Sequence, residues 1–217
     1  MTKLLDMLDP LEKRRTAGFF EDFLDDLDTN RFAATLTDSG TAVVGDSPAG
    51  VLVLTASDGT VADNDEAYVE HVNEVFKFAD DKPLLFEARI QYSEAATDDA
   101  NVCLGLMDAV AADAILDNGG GPKASYSGAV MFKVDGGTVW QCETSIAGVQ
   151  TTTASSRATG GAAYQTLTIE FKPFSATQAD VMFYVDGAQL LDSAGRAIKH
   201  TLTFTGATEM QAFAGIK

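Results

Sequence analysis

Strict alternation of apolar and polar residues is the feature that most narrows what this chain can fold into. In Leu84–Tyr92, Phe86, Ala88, Ile90 and Tyr92 fall on one side and Glu87, Arg89 and Gln91 on the other. Thr166–Lys172 repeats the pattern with Leu167, Ile169 and Phe171, and Asp180–Asp186 repeats it with Val181, Phe183 and Val185. A period of two is the period of a strand with one face buried. The same grammar predicts further strands over Phe19–Leu24, Gly50–Thr55, Ala67–Phe78, Asn101–Met107, Gly128–Val134, Thr138–Thr144 and Glu209–Ile216. Asp135-Gly136-Gly137 and Asp186-Gly187 stand between strands as tight turns, because glycine accepts positive φ without steric cost. Asp58-Gly59 and Asp80–Pro83 mark others. About ten strands joined mostly by short turns argue for an all-β, antiparallel sandwich. The exception is Asp108–Leu116, alanine-rich enough for a helical turn or two.

The first 17 residues read differently. Leu4, Leu5, Leu8 and Leu11 recur at helical spacing, and Lys13, Arg14 and Arg15 gather three of only 15 basic residues in one place. We read residues 1–17 as a short helix or arm and 18–217 as the sandwich. The leucine face and the basic run are the candidate partner-binding residues.

Charge excludes several functions. With 32 acidic residues against 15 basic ones the net charge is −17, which repels phosphate backbones and anionic lipid, so neither nucleic acid nor membrane is expected as a partner. The leucines near the start are interrupted by aspartates, so no secretory leader is read there and cytoplasmic synthesis is expected. Two cysteines, Cys103 and Cys142, make no disulfide framework and are expected as buried, inert thiols. The two histidines, His71 and His200, stand in no zinc-binding spacing, and no nucleophile elbow or phosphate loop is present. Two acidic groups, Asp63-Asn64-Asp65-Glu66 and Asp108/Asp113/Asp117, are candidate Ca²⁺ ligands, but neither has EF-hand spacing; solvated loop acids are the favoured reading, with no cofactor. No pair of acids alternates on one strand face as a glycosidase requires, so no catalytic residues are assigned and no enzymatic activity is expected. Trp140, the only tryptophan, is expected as a core or interface side chain.

The run Val181–Gly187 resembles the late strand and turn of the concanavalin A-like (laminin-G-like) jelly roll. In that fold the first and last strands usually pair, which the resemblance maps onto Gly18–Phe23 and Gln211–Lys217. Asn64–Tyr68, Val75–Phe78, Lys82–Arg89, Asp98–Val102, Gly105–Ala109 and Gly119–Tyr126 resemble segments of tailed-bacteriophage virion proteins of the head decoration, or cement, class. That resemblance implies a non-enzymatic protein bound to the capsid exterior, with the major capsid protein as partner and a homo-oligomer, a trimer about a three-fold position. The alternative is a carbohydrate-binding module of a phage adsorption structure, using Tyr68, Tyr92, Tyr126 or Trp140.

Overall fold

A computed structural model of the chain describes residues 18–60, 64–80, 82–94, 99–205 and 208–217. Every regular element among them is a β-strand, and every pairing is antiparallel. The large sheet runs in the order β1 (Phe32–Thr37), β4 (Glu66–His71), β17 (Glu209–Ile216), β7 (Val102–Met107), β10 (Gly128–Lys133), β11 (Val139–Ile146), β12 (Val149–Ala158), with β5 (Phe76–Lys77) added to β17. The small sheet runs β15 (Ala188–Gln189), β14 (Gln178–Val185), β13 (Gln165–Ser175), β6 (Leu84–Ile90), with β16 (Lys199–Thr203) also on β14. Two hairpins stand apart: β2 (Thr41–Gly45) with β3 (Val51–Thr55), and β8 (Ile115–Leu116) with β9 (Gly121–Pro122).

The alternation does what its period requires. Leu167, Ile169 and Phe171 of β13 and Val181, Phe183 and Val185 of β14 face Leu104, Leu106, Met131, Trp140 and Cys142 of the large sheet across one core. Trp140 is fully buried there, its indole N–H donating to Gln165 Oε1 at 2.8 Å. Both cysteines are fully buried, on opposite faces of the large sheet. β7 and β10 are buried along their whole length, which no amphipathic strand would be, because a second apolar cluster covers their other face. Gly105 is required by the close approach of the β10 backbone: its φ is +146°, and a Cβ would lie 2.3 Å from Ala129 O. The β14–β15 hairpin turns on Asp186 and Gly187, with φ of 53° and 79°, as the Asp-Gly pair foretells.

Several expectations are corrected. Residues 18–24 form no strand; Phe23 N–H is captured by Glu21 Oε1 at 3.0 Å, Phe23 takes φ of 52°, and Phe19 stacks beside Phe32, His71 and Phe76 instead. The first and last strands do not pair: β4 lies between β1 and β17. The expected strand Ala67–Phe78 is broken after His71, where the His71 ring accepts a hydrogen bond from Asn73 N–H at 3.3 Å. Asp108–Leu116 is not helical; Asp113 has φ of 61°, and its N–H donates to Glu66 rather than to its own turn. β1, β2, β12 and β16 were not anticipated. The arm, with Leu4, Leu5, Leu8, Leu11, Lys13, Arg14 and Arg15, lies outside the described residues.

Candidate functional site

Side chains of odd and even number alternate across the large sheet, so the register assigns its outer face. β4 presents Glu66, Tyr68 and Glu70, β17 presents Phe213, β7 presents Cys103 and Met107, and β10 presents Val130 and Phe132. β11 adds Gln141, Glu143 and Ser145, opposite Ala154, Thr152 and Gln150 of β12. The centre of this face is not open. The connection from β7 to β10 folds back across it, and Ala114, Ile115 and Tyr126 pack onto Tyr68, Met107, Val130, Phe132 and Phe213 as a second core.

This cover is pinned at one side by an ammonium among carboxylates. Lys217 Nζ lies 2.8 Å from Glu66, 2.9 Å from Asp113 and 2.5 Å from Asp117. Glu66 also accepts from Tyr68 OH (2.8 Å), Thr37 Oγ1 (3.1 Å) and Asp113 N–H (2.9 Å). Burial, reinforced by the adjacent Glu66 charge, pushes the Tyr68 phenol far above its ordinary range, so it stays a donor. Burial works against the charged form of Lys217, and the hydrogen bonds to Asp117, Glu66 and Asp113 more than offset it, so its pKa rises above 10.5. Glu66, Asp113 and Asp117 come from both groups weighed as Ca²⁺ ligands; here they converge on a protein cation. Asp63 lies outside the described residues, and among those described no His, Cys, Asp or Glu group is arranged to hold a metal.

On the other side of the cover lies Glu143. Its carboxylate is buried and accepts from Tyr126 OH and Gln150 Nε2, each at 2.8 Å, and from Thr152 Oγ1. Gln150, Thr152 and Ala154 are exposed and Gln141, opposite Ala154, is half-buried. Gln150 spends its amide N–H groups on Glu143 and on Lys123 O, so its amide oxygen is left to accept. The result is a shelf of amide and hydroxyl groups held in place by a buried acid, on the strand at the sheet's edge.

Glu70 is the third acid of this face. It is buried, accepts from Thr35 Oγ1 at 2.9 Å, and leaves its second oxygen without a partner. Burial raises its pKa. The three acids do not combine. Glu66 and Glu70 are four residues apart on one strand, about 13 Å, and Glu143 stands four strands from β4, about 19 Å. Glycoside hydrolysis with two carboxylates needs a separation of about 5–9.5 Å.

Of the aromatic residues expected to stack on sugar, Tyr68, Tyr126 and Trp140 are fully buried, and half-buried Tyr92 donates to Thr159 Oγ1 at 2.6 Å. They serve the cores because a tyrosine on an alternating strand carries no mark of which face will be covered. The shelf on β12 was missed for the converse reason. Val149–Ala158 is threonine- and serine-rich, with no apolar alternation to announce a strand.

No protein-family model and no curated protein sequence matches the chain. Solved structures do. An endo-1,3-β-glucanase from Streptomyces sioyaensis superposes with a TM-score of 0.51 at 13% identity, covering 93% of this chain and 84% of that one. An endo-β-1,4-glucuronan lyase from Trichoderma reesei gives 0.55 at 12% identity, covering 87% and 79%. The potassium-bound carbohydrate recognition domain of Emp46p gives 0.53 at 10% identity, covering 90% and 87%. The fold is that of the concanavalin A-like jelly roll. At these identities the likeness is one of fold, and the neighbours include enzymes as well as recognition domains. None of the three is a virion protein, so the resemblance to head decoration proteins, with its capsid partner, gains no support from them.

Proposed function

We propose that this jelly roll binds carbohydrate, and does so at the β11–β12 shelf. The observation that carries the reading is Gln150 and Thr152, exposed polar side chains fixed from beneath by the buried Glu143 carboxylate. Sugar hydroxyls are recognised by amide and hydroxyl groups that are already oriented, because the ordering entropy is then spent before the ligand arrives. The neighbours in fold are named as a glucanase, a glucuronan lyase and a carbohydrate recognition domain, which agrees with a carbohydrate ligand. Glu66, Glu70 and Glu143 are spaced too widely for two-carboxylate hydrolysis, and the acids that do converge, Glu66, Asp113 and Asp117, are bonded to the Lys217 ammonium, which favours binding. A chain of net charge −17 with an acid beneath the shelf selects a neutral glycan over a polyuronate.

The test is calorimetry of the intact chain with β-1,3-glucan and β-1,4-glucuronan oligosaccharides, preceded by a glycan array. Saturable binding of a neutral glycan is expected, weakened about tenfold in Gln150→Ala or Thr152→Val, the worth of one hydrogen bond. Absence of saturable binding to any arrayed glycan, or binding indifferent to both substitutions, would refute the site.

A further inference from the structure

β12 is the last strand of the large sheet, so one of its edges has no neighbouring strand. The hairpin leading into it turns on Ala147 and Gly148, with φ of 50° and 80°, and Ile146 pairs with Val149. A two-residue turn of that kind makes the flanking residues a hydrogen-bonded pair, so Val149, Thr151 and Thr153 direct their main-chain groups to β11. Those of Gln150, Thr152 and Ala154 point outward, as does Ser156 N–H, which donates to Leu191 O at 2.8 Å. Between the hairpin and Leu191, among the described residues, no main-chain hydrogen bond reaches the outward groups. Such an edge is a template for another strand, and proteins ordinarily guard it with charge, proline or a bulge. β6, at the end of the small sheet, carries Glu87 and Arg89, and Arg31 and Asp38 bracket β1. Gln150–Ser156 has neither charge nor proline, and the register shift between β11 and β12 lies beyond Ala154.

Two observations identify the occupant as a second copy of this chain. The first is charge. From Val139 to Ser156 the only charged residue is Glu143, which is buried, on a chain of net charge −17. Two copies of so acidic a chain approach closely only through a neutral surface. The second is self-complementarity, because the outward groups are centred on Thr152. With Thr152 on a two-fold axis, Gln150 of each copy faces Ala154 of the other and Thr152 faces its own counterpart, each pair exchanging N–H···O bonds. In that register Val149 comes opposite Ser155 of the second copy, beside the Leu191 that holds the adjacent Ser156. Val149 is 76% exposed and Leu191 42%. Val149 shares the face of Thr153, whose hydroxyl meets His200 of the small sheet, and Leu191 lies between β15 and β16 of that sheet. The axis therefore sets one exposed apolar side chain against another, and does so twice.

We propose that the chain forms a two-fold dimer in which the β12 strands pair antiparallel about Thr152 and join the two large sheets into one. The pairing lies in the plane of the sheet, so it leaves the β11–β12 shelf open and is independent of the sugar-binding reading. The shelves of the two copies then adjoin across the axis.

Sedimentation of the full chain from about 1 μM to 1 mM should show a monomer–dimer equilibrium that moves toward dimer as salt screens the acidic charge. Thr152→Cys tests the axis. Facing residues of a hydrogen-bonded antiparallel pair stand about 5.5 Å apart at Cα, within disulfide reach, whereas Val149 and its counterpart would be about 20 Å apart. Under mild oxidation Thr152→Cys should cross-link about tenfold or more faster than the exposed control Val149→Cys; Cys103 and Cys142 are buried and take no part. Val149→Glu should raise the dimer dissociation constant about tenfold or more, because the axis places the new charge against Leu191 twice. Emission of buried Trp140 reports whether each variant is folded; if Thr152→Cys is not, Val149→Glu decides alone. A native chain monomeric over the whole range, a trimer, equal cross-linking of the two cysteine variants, or a dimer indifferent to Val149→Glu overturns the proposal.

Discussion

Replacing Lys217 by methionine removes the cation that ties the β7–β10 cover to β4. The side chain of Lys217 is 4% exposed and that of Glu66 1%, whereas Asp113 is 63% and Asp117 41% exposed. The two aspartate pairs are solvent-screened and contribute about 0.5 kcal/mol each or less. The Glu66 pair is different, because its carboxylate would remain buried without a counter-charge, a loss of about 3–5 kcal/mol in comparable cases. Glu66 keeps neutral donors in Tyr68 OH, Thr37 Oγ1 and the Asp113 amide, which moves the expectation to the low end. Lys217→Met should therefore cost about 3 kcal/mol, or about 6–12 °C in Tm for a chain of this size. The pKa of Lys217 is raised, so its contribution is complete below the unfolded value of 10.5 and fades only as pH climbs toward the folded one. Urea denaturation at pH 7 and pH 11 measures both quantities, and hydrogen exchange should show lost protection concentrated in residues 108–127. A cost below about 1 kcal/mol, or one undiminished at pH 11, would refute the reasoning.

Two further substitutions probe buried titratable groups. Glu70→Gln should stabilise the protein at pH 7 by about 1 kcal/mol, since it removes a charge whose second oxygen has no partner. Because the carboxyl's pKa is raised, that advantage should be absent below pH 4.5 and open as pH rises, which denaturation at pH 4 and pH 7 would show. His200 lies between Thr144 and Thr153, and burial lowers its pKa from 6.5 to about 4. The native state holds it neutral, so stability present above pH 6.5 should be lost as pH falls to about 4, by about 3 kcal/mol from this residue alone. In His200→Asn that acid-dependent portion should vanish; an unchanged slope of stability against pH would exclude His200 as its source.

The paired sheets were legible wherever one face of a strand meets water. β13 and β14 state their orientation residue by residue, and β6 does so nearly as well. β7 and β10, buried on both faces, read as continuous apolar runs; their existence was visible but their second neighbour was not. Nothing local signals that residues 108–127 fold back over the large sheet, because the turn at Asp113 is stabilised by Glu66, 47 positions away. The same holds for Lys133, whose charge suggests a solvated strand end. Its side chain is fully buried, bonded to Glu94 Oε2 at 3.0 Å and Ala100 O at 2.8 Å. The residues of the shelf were equally silent. Gln150 and Thr152 stand seven and nine positions from Glu143 in sequence and become its neighbours only through the β11–β12 register.

The filled centre of the large sheet also has a kinetic consequence. A ligand enclosed in a cleft is held by walls that must part before it can leave, whereas one lying on a flat edge strand has no such barrier. Binding at β11–β12 would be fast in both directions, with short residence on any single molecule. Lasting attachment to a polymer would then depend on many copies engaging repeating units at once, where effective concentration, not contact area, sets the avidity. A surface bearing this sandwich in an array would adhere, while the same chain free in solution would exchange from one sugar to the next.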